Sequence, residues 1–549
     1  MVASRPGKNK IMNVPLTPVR FLRYAEQQFP SKTAVVCQNQ RFTYAEFADR
    51  VGRLAGALRS GGVKPGDRVA FLSLNCHRLL EAYYGVLEAG GILLPLNIRL
   101  AAPELVYILN HSGAAVLFLE QEFVDLVDSF RSDLQTVRSF YQLDGTRQAD
   151  WLSDQTYEQA LVSATPFREE LMAFDENSVA EIFYTSGTSA SPKGVMLTHR
   201  NVYLHAMNLA VYHHTRYEDV LMHTIPLFHA NGWGAAHTIT SVGGTHVMLP
   251  RFVPEEVFRL VERERVSALS LVPIMATALV NCPTRSKYNL SSVQWSVIGG
   301  AASSPTLIRE VETKLGFKAF SGYGLTECSP SLATAELKPE MKCSAEERHS
   351  MQAMTGYAYP GHELRVVDAQ DNDVPHDAVT MGEIIARSDG VMAGYWQQPE
   401  ATSEALRGGW FHTGDMAVVA DNGFIRIVDR KKDIIVSGGE NISSLEVEKA
   451  LVAHPDVYEA AVIPVLDEKW GEVPIAIVVA KPGRAPTGLE LIEFCRARLA
   501  HYKCPQAIEF CESLPRTATG KVLKRELRKK YRTSCPASSG VGQERSSGD

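Results

Sequence analysis

The segment Tyr184-Thr185-Ser186-Gly187-Thr188-Ser189-Ala190-Ser191-Pro192-Lys193-Gly194 sets eight Gly, Ala, Ser or Thr residues beside a lysine. A loop of that composition offers backbone N–H groups and hydroxyls to an anion, and Lys193 adds a positive charge on a flexible stem. It is not the Walker phosphate loop, because the fifth position after Gly187 is Pro192 where that motif needs glycine. Taken alone, the same residues also describe a surface turn. A second segment is Ser321-Gly322-Tyr323-Gly324-Leu325-Thr326-Glu327. Its glycines let the backbone approach a ligand, and Tyr323 presents a flat face suited to stacking a base. Thr326 can donate to a phosphate oxygen, and Glu327 is a hard oxygen ligand of the kind Mg²⁺ accepts beside substrate phosphates. A strand-end turn with a solvated glutamate is the competing reading.

Three shorter stretches add polar chemistry. Trp410-Phe411-His412-Thr413-Gly414-Asp415 places a carboxylate after a Gly turn, where it could accept both hydroxyls of a ribose. Arg430 opens a basic elbow, 429–433, and could make charge-assisted bonds to ribose or phosphate. Leu514-Pro515-Arg516-Thr517-Ala518-Thr519-Gly520-Lys521 again joins small residues to a lysine. An ordinary turn, a solvated charge run and a solvated loop lysine are the plain readings of these three, each on its own.

The elements that must position these groups follow from apolar patterning. Strands are expected at 68–73, 90–96, 114–119 and 179–183, with helical spacing over 79–88, which is the rhythm of a layered α/β architecture. It resumes with a helix starting at Thr198 and strands at 220–226, 266–273, 293–299 and 318–320. Beyond Gly361, alternating strands at 363–367, 382–387 and 423–428 suggest a β-rich module, and 444–531 reads helix–strand–strand–helix–strand–helix. The Ser/Gly-rich stretch from Thr533 has no apolar face to bury and is expected to be disordered.

Bulk properties narrow the class. The 549 residues are too many for one ordinary core, so roughly two to four domains are expected. A net charge of -6 argues against nucleic acid as the main partner. Nine cysteines are scattered without a C-x-x-C pair, which suits a reduced compartment and supports neither a disulfide framework nor a zinc site. Residues 1–18 lack the apolar stretch of a secretory signal, no run approaches a membrane span, and Ser547-Gly548-Asp549 is not a peroxisomal address. A cytoplasmic enzyme is the expectation.

In this order and spacing the segments resemble the adenylate-forming (AMP-binding) superfamily, which includes acyl-CoA synthetases, luciferases and the adenylation domains of peptide synthetases. The likeness runs from about Leu16 to Tyr531. It implies a large N-terminal domain of layered α/β subdomains plus a β-rich module, with a small mobile α+β C-terminal domain. The expected boundaries are an N-terminal extension over 1–15, the AMP-binding domain over 16–430, the C-terminal domain over 431–532 and a disordered tail over 533–549. One departure is Ser189-Ala190, where the family usually has Thr-Gly.

By that resemblance ATP and a carboxylate form acyl-AMP and pyrophosphate. Thr185, Ser186, Gly187, Thr188, Ser189 and Lys193 would hold the β/γ-phosphates, and Glu327 would hold Mg²⁺. Gly300, Ala301 and Tyr323 would frame adenine, Thr326 the α-phosphate, and Asp415 with Arg430 the ribose. Lys521 would bridge the carboxylate and the α-phosphate, neutralising two approaching anions. The C-terminal domain would then rotate about Lys432 and bring Gly438 and Gly439 to the site, where a thin pantetheine arm fits, so that CoA takes the acyl group.

The resemblance places the acid pocket at 225–233, with His229 lining it or buried structurally, and with Trp233 at the position of a gating tryptophan in long-chain fatty acyl-CoA synthetases. Nothing charged in 296–302 stands out to recognise an amino acid, so an apolar acid is favoured. The leading expectation is an ATP-dependent acyl-CoA ligase for a medium- or long-chain fatty acid. An aryl-acid CoA ligase comes next, then an acyl-AMP ligase loading a carrier protein in trans, and last a non-catalytic nucleotide-binding relic. The oligomeric state is undecided, a homodimer being compatible with the sequence.

Overall fold

The computed structural model describes residues 13–185, 192–341, 343–438, 440–467, 470–516 and 522–531. The chain divides into two units, 1–365 with 385–413, and 366–384 with 414–549. The expected tail over 533–549, most of the extension over 1–15, and the loop residues 186–191 lie outside the described residues.

The larger unit is built on two sheets. In one of seven strands, Gly394–Tyr395, Lys193–Thr198, Val179–Thr185, Ile92–Pro95, Arg68–Leu72, Ala114–Leu119 and Ser139–Gln142 lie side by side in that order. In one of nine, Lys318–Gly324, Trp295–Ile298, Ala268–Leu271, Val220–His223, Thr245–Met248 and Thr33–Cys37 form a parallel centre with antiparallel edges. A parallel sheet is covered on both faces, and its strands therefore read as apolar runs rather than alternations. The helix His77–Glu88 shows how the coverage is achieved: every one of its residues except Arg78 is buried. Its Leu79, Leu80 and Tyr83 share one core with Val69, Phe71 and Leu93 of the first sheet and Val35 and Met248 of the second. Gly85 is required there, since a Cβ would stand 2.7 Å from a methyl of Leu54 on the neighbouring helix Tyr44–Ser60.

The smaller unit contains a sheet of Glu440–Ile442, Ile435–Ser437, Gly471–Ala480, Val457–Asp467 and Ala507–Phe510. Alternate side chains leave its two faces, as the period of a strand dictates. Val462, Ala476 and Val478 pack with Val447, Leu451 and Leu491, whereas Ile463, Ile475 and Ile477 pack with Leu527 and Tyr531. The helix–strand–strand–helix–strand–helix order expected for 444–531 is the order observed.

Several expected strands begin later or run further than their apolar patterns suggest. The strand expected at 423–428 runs Ile425–Arg430, because Gly423 (φ +80°) belongs to a turn closed by its N–H to the Ala420 carbonyl at 2.8 Å. The strand expected at 318–320 continues to Gly324, because it pairs with Ser331–Thr334 as a hairpin. No helix among the described residues is long and apolar enough to cross a membrane.

Within the smaller unit, Asp429 carries the elbow. It is almost fully buried, and its Oδ2 accepts from Ser444 N–H and Ser444 Oγ at 2.5 Å each, at the start of the helix Ser444–Val452. Its Oδ1 accepts from Arg430 N–H at 2.8 Å. A carboxylate there satisfies N–H groups that the helix cannot and sits at the positive end of its dipole. Asp429→Ala is expected to destabilise the smaller unit by about 2–3 kcal/mol. The check is an earlier urea transition than in the parent; an unshifted midpoint would show that the cap contributes nothing.

Candidate functional site

The phosphate-type loop hangs on a hairpin. Val179–Thr185 pairs antiparallel with Lys193–Thr198, so that Thr185 faces Lys193 and Tyr184 faces Gly194. Ser186, Gly187, Thr188 and Ser189 lie outside the described residues; Thr185 and Lys193 mark the two ends of the loop. Lys193 Nζ stands 4.5 Å from the centre of the Tyr395 ring, within cation–π range. The Tyr395 hydroxyl donates to Glu327 Oε1 at 3.0 Å. Burial, then the carboxylate of Glu327, pushes the Tyr395 phenol well up, so it stays a donor. The lysine and the carboxylate singled out in the sequence are thus joined by a tyrosine that no motif marked.

Glu327 and Thr326 occupy a single short turn, Thr326–Cys328, between the two strands of the 318–334 hairpin. The carbonyl of Glu327 accepts from Met392 N–H at 2.8 Å. Gly324 is a true close approach: a Cβ there would stand 1.8 Å from the Pro330 carbonyl oxygen. Ile298 pairs with Ser321, which brings the end of Trp295–Ile298, and with it exposed Gly300 and Ala301, beside the strand that carries Tyr323.

The acid-pocket candidate has an unusual backbone. Ala230, Asn231, Gly232, Trp233 and Gly234 have φ of 34°, 44°, 61°, 62° and 80°, a turn of left-handed helix. Each non-glycine residue in that conformation costs about 1–2 kcal/mol, so the surroundings must impose it. Asn231 Nδ2 donates to Glu181 Oε2 at 3.0 Å, and Glu181 Oε1 lies 2.7 Å from His237 Nε2. Asn75 braces the approach to the turn: its Oδ1 accepts from Leu227 N–H at 2.8 Å, and its Nδ2 donates to the carbonyls of His223 and Ile225. Trp233 lies against the adenine candidates, since a Cβ on Gly299 or Gly300 would stand 3.1 or 3.4 Å from its ring. At the far end the His205 ring fills the space a Cβ on Gly234 would need, at 2.6 Å, and His205 Nε2 accepts from Ser331 N–H at 3.1 Å. His229 is half-buried, its ring 4.8 Å from that of Phe228.

In the smaller unit, Asp415 and Arg430 face each other across paired strands and form an ion pair, Oδ1 to Nε 2.7 Å, with Asp415 3% exposed. Asp415 lies inside the strand Phe411–Val419 rather than in a plain turn, Gly414 (φ +71°) keeping the irregular backbone within it. Buried Glu383 ties this region down: Oε1 accepts from Gly414 N–H at 3.0 Å, and Oε2 pairs with Lys431 Nζ at 3.0 Å. Lys432 is exposed beside the ion pair of buried Asp433 with half-buried Arg528. Gly438 (φ +59°) donates its N–H to the Trp470 carbonyl at 2.7 Å, and the indole occupies the space beside its Cα. Gly439 and Lys521 lie outside the described residues.

Sequence reasoning missed Glu181, His237, Glu383 and Tyr395, and it held Asn231 only as one residue of the 225–233 segment, without a role of its own. A glutamate between Ala180 and Ile182 in an otherwise apolar strand is the one local signal that could have been noticed. A metal held by a cage of protein ligands has no support here: no group of three or more His, Cys, Asp or Glu among the described residues could hold one. Glu327 alone fits the way Mg²⁺ is bound beside phosphates, through one or two carboxylates.

Comparison with known proteins identifies the family. The AMP-binding enzyme family matches residues 22–396, and the AMP-binding enzyme C-terminal domain matches 446–521. The chain is 38% identical over 523 residues to a long-chain-fatty-acid–CoA ligase of Thermus thermophilus, covering 93% of this chain and 95% of that one. It is 36% identical over 518 residues to 4-hydroxybutyrate–CoA ligase 2 of Metallosphaera sedula, covering 93% and 94%. The crystal structure of the anthranilate CoA ligase AuaEII in complex with anthranoyl-AMP superposes with a TM-score of 0.84 at 26% identity, covering 95% of this chain and 99% of that chain. The chain belongs to the AMP-binding enzymes.

Histidines with little access to water recur in the larger unit, His205 against Gly234 of the acid-pocket turn and His223 and His246 on adjacent strands. Burial pushes His199 and His362 down to about 4 and His213 and His223 to about 3, and it holds His205 and His246 well below the usual imidazole range. These rings are neutral in the folded unit, whereas the unfolded chain protonates them below about pH 6.5. The unfolded state then binds more protons, so stability is full above that pH and falls as pH drops towards 4. The urea midpoint of the larger unit is expected to decrease from pH 7.5 to pH 5 with net proton uptake on unfolding. A midpoint flat over that range would contradict the neutral-histidine assignment.

Proposed function

From that membership we propose that the chain is an ATP-dependent acyl-CoA ligase that activates an apolar carboxylic acid, a medium- or long-chain fatty acid first, releasing pyrophosphate and then AMP. The observation that carries the reading is the packing of Trp233, on its left-handed turn, against Gly299 and Gly300. It supports the reading because the expected acid-pocket residue then adjoins the expected adenine loop, where a carboxylate would meet the α-phosphate. The names of the Thermus thermophilus and Metallosphaera sedula relatives, both CoA ligases, support the thiol acceptor.

On this reading each residue keeps a defined task. The 185–193 loop and Lys193 hold the outer phosphates through N–H groups, hydroxyls and charge. Mg²⁺, when bound, neutralises phosphate charge; Glu327 would hold it, oriented by the Tyr395 hydroxyl. Thr326 meets the α-phosphate, and Asp415 with Arg430 takes the ribose hydroxyls. Lys521 neutralises carboxylate and α-phosphate as the acid oxygen attacks phosphorus and pyrophosphate departs. The proposed C-terminal domain, 431–532, then turns about Lys432 to admit the CoA thiol past Gly438 and Gly439, and AMP leaves as the thioester forms.

Two measurements test this. Pyrophosphate exchange and CoA-dependent AMP release across acetate, butyrate, 4-hydroxybutyrate, octanoate, palmitate, benzoate and cinnamate should be greatest with octanoate or palmitate. A preference for benzoate or cinnamate would make it an aryl-acid ligase. Adenylate discharged only onto a carrier protein would replace CoA as acceptor, and no exchange with any acid would leave a nucleotide-binding relic. Tyr395→Phe, which deletes the hydroxyl that orients Glu327, is expected to slow pyrophosphate exchange about tenfold, with the KM for the acid unchanged. An unaltered rate would remove Tyr395 from the assembly.

A further inference from the structure

Glu181 sits where a carboxylate has little reason to be. It lies in the interior strand Val179–Thr185, paired with Leu93 on one side and Leu197 on the other, and it is fully buried. Burying a charged group costs free energy that its partners only sometimes repay, so stability alone does not account for it. What it does hold is specific. Both oxygens reach the segment that follows His229: Oε2 accepts from Asn231, inside the left-handed turn, and Oε1 meets His237, in the next helix, Ala235–Val242. Around His237 stand the rings of Tyr83 and Tyr84. The Tyr84 hydroxyl lies 3.3 Å from His237 Nδ1 and donates to the Ala236 carbonyl, while the Tyr83 hydroxyl donates to that of Leu227.

We propose that Glu181 is a positioning residue for the acid pocket: through Asn231 and His237 it holds the left-handed turn, and with it Trp233, against Gly299 and Gly300. This rests on the reading that 225–233 lines that pocket. The turn has an intrinsic preference to relax, because Ala230, Asn231 and Trp233 are L residues at positive φ. Asn231 is the residue type that tolerates this best, and its amide is the one tied to Glu181. Glu181 also stands four residues before Thr185 on the strand that feeds the phosphate-type loop. One rigid strand thereby sets both the start of that loop and the shape of the acid pocket. A turn so held presents Trp233 at a fixed depth, and depth decides which acids fit.

Two variants separate this from a general packing role. Glu181→Gln keeps the shape but loses a carboxylate acceptor, and Asn231→Gly keeps the positive φ while deleting only the amide. Each is expected to raise the KM for the acid about tenfold and to change the ranking of acids in pyrophosphate exchange, with the KM for ATP within about twofold of the parent. In a Trp233→Ala background, Glu181→Gln should add little further. Should Glu181→Gln fail to fold, Asn231→Gly carries the test by itself. If Trp233→Ala alters the acid ranking while Glu181→Gln and Asn231→Gly do not, the proposal is overturned and the pocket reading stands. Equal rises in the KM for acid and ATP would also overturn it, as a loss of packing. An acid ranking unmoved by Trp233→Ala would overturn the pocket reading and the proposal with it.

Discussion

A carboxylate sealed from water must be paired, and the pairing of Glu181 with Asn231 and His237 is the constraint on which the site in the larger unit depends. Its consequence is geometric. A turn of left-handed helix, which L residues do not adopt by preference, is kept between the strand Val179–Thr185 and the loop after Trp295–Ile298. His205 closes the other end, pressed on Gly234 and accepting from Ser331 N–H just beyond the Thr326–Glu327 turn. Three segments that are remote along the chain therefore touch one strained turn.

The polar half of the site follows a related logic with weaker individual bonds. Lys193 begins a strand and Glu327 sits in a turn remote from it along the chain, and Tyr395 spans them with its ring face towards one and its hydroxyl towards the other. Such a residue fixes two groups of opposite charge without neutralising either, as a direct ion pair between them would. The site that we propose binds a polyphosphate thus keeps both its cation and its anion available.

The smaller unit shows the same economy of buried acids used as clamps. Glu383 takes Gly414 N–H and Lys431, and Asp429 takes the first N–H groups of Ser444–Val452, so the segment from Gly414 to Ser444 is anchored at both ends. Asp415 and Arg430 already face each other as an ion pair across adjacent strands. The proposed ribose contact would be made by a carboxylate whose direction is set before any ligand arrives.

What the sequence determined by itself was what neighbouring residues decide. The local patterning of 444–531 was enough to order its elements. The small residues of 184–194 and the glycines at 322 and 324 were enough to mark where a backbone must bend or be approached. Element ends were less legible, because pairing extended Lys318–Gly324 past its apolar core and the turn at Gly423 delayed Ile425–Arg430. Only the tertiary structure decided that Tyr395 would meet Glu327 and that Glu181 would meet Asn231, pairs 68 and 50 residues apart. A hydrogen bond between distant side chains leaves no periodicity and no local composition behind it. It exists because separate strands arrive at the same place, and that is a property of the whole packing rather than of any segment.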